Sequence, residues 1–294
     1  MQATIFKLLL ATSLAFSASV PVIAAEPSIN PLDGPATACW HAPSKSWYVS
    51  NMGGGVSFAR DGNGWISRFN ADGGLSSIGV IAGLDAPTGL VTNGTSLFVV
   101  DRTEIVEFTI GAYTVANRWA VPDAGLPNGA AIAKDGTLYV ADTAKNRIYR
   151  ITPGGTLETW VENAILEGPN ALLVTKKSLI VGTWGPNMNP ETFATSRPGT
   201  LMKIDLKTGA IKPYGKCPPI GNIDGLAKVE DDIFVTDWMG GRLLKVDDDG
   251  EVETVLTGLP LLASLGYSPS TETLMLPVMS TNSLVMLNLG ALED

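Results

Sequence analysis

Between Leu126 and Ile151 the chain reads LPNGAAIAKDGTLYVADTAKNRIYRI, three short apolar runs separated by polar breaks. Ala130 to Ala133, Thr137 to Asp142 and Arg147 to Ile151 carry β-branched, aromatic or alternating residues, while Pro127-Asn128-Gly129 and Asp135-Gly136 carry turn chemistry. The pattern predicts three strands in one antiparallel meander. A meander of this size cannot bury its apolar faces alone, so its meaning depends on whether it recurs.

It recurs, and the end of the second strand sets the register. Tyr139 to Asp142 (YVAD) matches Phe98 to Asp101 (FVVD), Ile180 to Thr183 (IVGT), Phe234 to Asp237 (FVTD), Tyr48 to Asn51 (YVSN) and, more loosely, Met275 to Val278 (MLPV). Most steps are about 41 residues, and the two longer ones are accounted for by insertions directly after the strand, at Met52 to Gly64 and Trp184 to Gly199. Six such units predict an all-β chain, a six-bladed β-propeller of four-stranded antiparallel blades. Repeat six ends after its third strand, and the expectation is that Pro27 to Leu32 closes the ring by pairing with it.

Before the repeats, residues 1–25 hold one cation, Lys7, an apolar run from Leu8 to Phe16 and small residues at Ala24 and Ala25. That is the pattern of a secretory signal peptide, too short to span a membrane, and it predicts a secreted protein, periplasmic if bacterial. Residues 26–294 then form a single propeller domain. A formal net charge of −9 argues against nucleic acid and anionic lipid as partners, and no other stretch predicts membrane insertion. Cys39 and Cys217 could pair in an oxidising compartment, but their blades are not neighbours, so two thiols is the simpler expectation.

In a four-strand meander the entrance to the first strand and the connection between the second and third lie at the same end. In register, the first-strand starts read Asp33-Gly-Pro, Thr88-Gly, Asn128-Gly, Asn170-Ala, Asp224-Gly and Ser264-Leu. Two readings stand side by side. Each pair is ordinary turn chemistry, or the oxygens converge around one channel mouth. Converging amide, hydroxyl and carboxylate oxygens with no imidazole or thiolate suit a hard divalent cation, Ca²⁺ before Mg²⁺. Thr88, Trp184, Trp238 and Ser264 would form a rim for a small-molecule ligand or substrate, and the two insertions would rise over it as a partial lid.

The run YVADTAKNRI at 139–148 resembles an NHL repeat. Asp33-Gly34-Pro35, Pro127-Asn128-Gly129 and Ile223-Asp224-Gly225 are similar to motifs of the gluconolactonase, senescence-marker-protein and luciferin-regenerating-enzyme superfamily. That resemblance implies a metal-dependent lactone hydrolase in which Asp33, Asn128 or Asn170, and Asp224 hold one divalent cation. The cation would polarise a lactone or ester carbonyl, with Asp224 as ligand and general base. The chain departs from the hydrolytic members at two places: position 33 is Asp where they carry Glu, and their sugar-holding Arg and Asn have no match near Thr88. The competing expectation is therefore a non-catalytic propeller that binds a small ligand or a partner protein. With His41 as its one histidine and no Gly-x-Ser-x-Gly, the chain carries neither a serine-hydrolase triad nor a two-histidine relay.

Overall fold

The computed structural model describes residues 31–56 and 58–292. Six antiparallel sheets are arranged as a six-bladed β-propeller, five with four strands in meander order and the sixth with three among the described residues. The inner strands are Pro35–His41, Pro87–Thr92, Pro127–Ile132, Pro169–Val174, Ile223–Val229 and Gly266–Ser268. Second strands end at Asn51, Asp101, Asp142, Thr183, Asp237 and Val278, the register found in the repeats. Residues 1–25, where a signal peptide is expected, and Pro27 to Asn30 lie outside the described residues. No helix among the described residues is long and apolar enough to cross a membrane.

Where the Asn-Gly and Asp-Gly pairs allow a turn, the chain is already strand. Asn128-Gly129 lies inside Pro127–Ile132, and Asp224-Gly225 inside Ile223–Val229. The glycines serve close approach. A Cβ on Gly129 would sit 2.1 Å from the Asn170 carbonyl oxygen, and one on Gly89 would sit 2.2 Å from that of Asn128. These two inner strands thus lean on the next blade's inner strand at the point where a side chain would intervene.

Between the blades lie apolar layers. Cys39, Tyr48 and Ile66 of blade one pack on Leu90, Val99 and Phe108 of blade two, and Ile180 and Leu201 of blade four pack on Ile223, Val235 and Leu244 of blade five. Cys39 is buried in the first of these layers and Cys217 is half-buried beside the second, both as free thiols. His41 is also buried, with Nδ1 2.6 Å from Ser44 Oγ and Nε2 3.1 Å from the Gly94 carbonyl. It is a satisfied core residue.

The ring closes at its inner edge. Ala38 N–H donates to the Ser264 carbonyl at 3.0 Å and Ser264 N–H to the Ala36 carbonyl at 3.0 Å, a parallel bridge between the first and last blades. Of the segment expected to close the ring, Pro31 and Leu32 are described. Leu32 is buried with Trp47, Phe69 and Met275, joining side chains of blades one and six. The Pro31 carbonyl accepts from Ser67 Oγ at 3.0 Å.

Candidate functional site

Five blades interrupt the pairing of the inner and second strands at the same place. Pro35, Pro87, Pro127, Pro169 and Ile223 pair with the last residue of the second strand, and the register then slips by one residue. A bulge of this kind re-aims the extra residue out of the ladder. The re-aimed positions are Ala36, Thr88, Asn128, Asn170 and Asp224, and all five line one cavity at the mouth of the channel.

Among the described residues Asp224 is the only titratable side chain in that lining. Its Oδ1 accepts from Asn170 Nδ2 at 2.8 Å, and Asn170 Nδ2 also reaches the Ile223 carbonyl at 3.1 Å. Asn170 Oδ1 accepts from Thr143 Oγ1 at 3.0 Å, so this fully buried amide is engaged at both ends. Burial pushes the Asp224 carboxyl up to about 7, against the opposing hydrogen bonds from Asn170 and the Ser264 backbone. The Thr88 hydroxyl donates across to the Pro127 carbonyl at 3.1 Å, tying blade two to blade three. Asn128 is half-buried, and its carboxamide makes no hydrogen bond to the described residues.

A second ring stands above this floor, formed by the residue that follows each second strand. Met52, Thr143, Trp184, Trp238 and Met279 occupy it in five blades and line the cavity. In blade two the equivalent Arg102 turns away with φ of 37°, donating to the Phe58 and Gly125 carbonyls at 3.1 Å each. The Trp184 and Trp238 rings lie 5.5 Å apart between centroids, and Trp238 Nε1 donates to Met279 Sδ at 3.3 Å. Both insertions reach over the mouth: Phe58 from the first and Phe193 from the second stand 6.0 Å apart, and Phe193 is 6.0 Å from Trp238. The cavity beneath is about 40 Å³, room for a few water molecules.

The structure thus gathers Asn128, Asn170, Asp224, Thr88, Trp184 and Trp238 at one mouth, sets Ser264 beside Asp224 through its backbone alone, and leaves Asp33 elsewhere. Asp33 lies upstream of the bulge, and its two carboxylate oxygens accept from the backbone N–H groups of Gly54 and Gly55 at 2.7 and 3.0 Å. Ala36 is the blade-one member of the ring, because register counts from Pro35 rather than from the motif's acid. Ser264 lines the axial channel below, a space of about 260 Å³ walled by the inner strands. Phe58, Met188 and Phe193 were not singled out from sequence, since insertions have no repeat to register them. Met52, Thr143 and Met279 could have been, by the offset that gave Trp184 and Trp238.

The recurring acids behave as backbone anchors. Asp101 accepts from Asp85 and Ala86 N–H, Asp142 from Gly125 and Leu126, and Asp237 from Asn222, each holding the connection into its own blade. Asp247 accepts three backbone N–H groups within its turn, including that of Gly250.

The residues at the mouth do not fit a resident calcium ion. Calcium takes six to eight oxygens, usually with several carboxylates. This ring supplies one carboxylate, and the neighbouring Asn170 presents its amide nitrogen to that carboxylate while its oxygen is spent on Thr143. The blade-one position is Ala36, and among the described residues no group of three or more His, Cys, Asp or Glu converges.

No family model matches the chain, and no curated protein matches it. Solved structures do. A gluconolactonase from Xanthomonas campestris superposes with a TM-score of 0.65 at 15% identity over 87% of this chain and 86% of that one. The chain is similar in fold to gluconolactonases. A virginiamycin B lyase from Staphylococcus aureus gives 0.56 at 16% identity over 87% and 85%, and a chain of a nidogen/laminin complex gives 0.61 at 14% over 78% and 88%. At these identities the likeness carries the six-bladed propeller and leaves the chemistry to the site.

Proposed function

We propose that this propeller is an exported small-molecule hydrolase of the lactone or ester type, working at the mouth with Asp224 as general base. The observation that supports it is a lone buried carboxylate with its pKa pushed to about 7 on the floor of an aromatic cup. A base of that strength is half ionised at neutral pH, where general-base catalysis is most effective. A water beside Asp224 gives its proton to the carboxylate as its oxygen attacks the carbonyl carbon. The carbonyl electrons move onto the oxygen, which the free Asn128 amide can meet as a donor. Collapse expels the alkoxide, which takes the proton back from Asp224. Asn170 is a positioning residue here, holding Asp224 Oδ1 at 2.8 Å.

Gluconolactonases and lyases both stand among the similar folds, and the histidine content of this chain speaks against the lyase. A histidine-to-alanine variant of virginiamycin B lyase is catalytically inactive, whereas the one histidine of this chain is sealed in the core. Export is supported by the composition of residues 1–25. The test is a panel of lactones and carboxylic esters followed by acid release, with and without EDTA. Turnover should rise with pH through about 7 as Asp224 ionises, should disappear in Asp224→Asn and should survive EDTA. If the wild type hydrolyses nothing in the panel, the mouth is a binding site without catalysis; if EDTA abolishes turnover, a divalent cation works at Asp224 as the sequence resemblance implies.

A further inference from the structure

The two insertions are built to hold one contact. The second is an ordered loop: Phe193 N–H donates to the Asn189 carbonyl at 2.8 Å, Trp184 Nε1 to the Phe193 carbonyl at 2.8 Å, and Ser196 N–H to the Pro186 carbonyl at 3.1 Å. Phe193 is held with φ of 58°, a left-handed conformation that a phenylalanine adopts only when its surroundings impose it. That conformation is used to lay its ring between Trp238 and Phe58. On the opposite side, Arg102 fastens the first insertion through the Phe58 carbonyl at 3.1 Å, itself in a left-handed conformation. Strain on both sides converges on the aromatic pair over the mouth.

The mouth is also divided by chemistry. Among the described residues its hydrogen-bonding groups sit on the floor, while the wall above Thr143 is aromatic rings, methionines and aliphatic side chains. A sugar lactone bears hydroxyls around its whole ring, and against this wall most would lose water without gaining a partner. An ester or lactone with one polar head and an apolar body matches the division. Its carbonyl would reach Asn128 and Asp224, and its body would take the place of the Phe58–Phe193 contact.

We propose that Phe58 and Phe193 are the specificity-determining residues of this site, and that its substrate class is lactones or esters with an alkyl or aryl body rather than polyhydroxylated sugar lactones. The class rests on the reading of the mouth as a hydrolase site, whereas the selection by Phe58 and Phe193 applies to binding alone. The Phe58–Phe193 contact stands where the body of a ligand would lie, so the pair sets the surface that meets it.

Binding is read separately from turnover. The full-length mature protein carrying Asp224→Asn, which cannot consume its ligand, is titrated with a medium-chain γ-lactone and with glucono-δ-lactone, following the fluorescence of Trp184 and Trp238. The expected result is a saturable change with the alkyl lactone and binding weaker by roughly tenfold or more with the sugar lactone. Adding Phe193→Ala should weaken the alkyl lactone by about tenfold and narrow the preference, while Phe193→Leu restores most of it. Circular dichroism on each variant separates a lost contact from a lost fold, and Phe58→Ala repeats the measurement from the other loop. Equal binding of both lactones, or alkyl-lactone binding indifferent to both substitutions, overturns the proposal. Alkyl-lactone binding with no wild-type hydrolysis would sink the catalytic reading and leave the selection by Phe58 and Phe193 standing.

Discussion

Asp224→Asn should change how the stability of this protein depends on pH more than any other single substitution at the mouth. The carboxyl has a pKa of about 7 in the fold against an ordinary 3.8, because burial disfavours its charge. The folded state therefore binds this proton more tightly than the unfolded chain does. Its contribution to stability is fully present below about pH 4 and is lost as pH rises through about 7. At about 1.4 kcal/mol per pKa unit the whole loss is on the order of 4 kcal/mol, of which roughly 3 falls between pH 5 and pH 8. Asparagine keeps an oxygen for Asn170 Nδ2 and cannot ionise. Urea unfolding followed by tryptophan fluorescence at pH 5, 6, 7 and 8 should then show the wild type weakening relative to the variant by about that amount. A difference between the two proteins that stays constant across the range would mean that Asp224 titrates normally, and the argument for a base tuned to neutral pH would go with it.

Two further substitutions probe what holds the mouth open and the ring shut. Gly129→Ala forces a methyl to within 2.1 Å of the Asn170 carbonyl oxygen and should cost about 1–3 kcal/mol or more, whereas Gly154→Ala, whose nearest neighbour is 3.8 Å away, should be nearly neutral; equal melting curves for the two would refute close approach as the reason for the glycine. Leu32→Ala should cost about 2 kcal/mol or more and lower the melting temperature by several degrees, because Leu32 packs against Trp47 of blade one and Met275 of blade six. An unchanged melting temperature would leave the inner-strand bridge at Ser264 as the whole of the closure.

The blade count and the strand ends could be read from the chain because a repeat averages away local ambiguity: six copies of one register outvote any single apolar run. The end of the ring at which these side chains gather was legible for the same reason, since strand order alone fixes which connections share an end. Asn128, Asn170 and Asp224 followed from that. Asp33 did not, because a motif shared with a family locates a residue in sequence, while the bulge after Pro35 decides which residue turns inward.

The chain by itself therefore determined the periodic part of this protein: how many blades, where each second strand ends, and which end of the ring gathers its amides and Asp224. Only the packed structure decided the rest. It made Asn128-Gly129 and Asp224-Gly225 strand rather than turn, since those glycines answer to the backbone of the next blade, a neighbour about 40 residues away in the chain. It set the Asp224 carboxyl near pH 7, because burial is a property of everything around the group. It also brought Phe58 against Phe193 across the mouth, a contact between two insertions that no repeat relates and no local pattern encodes.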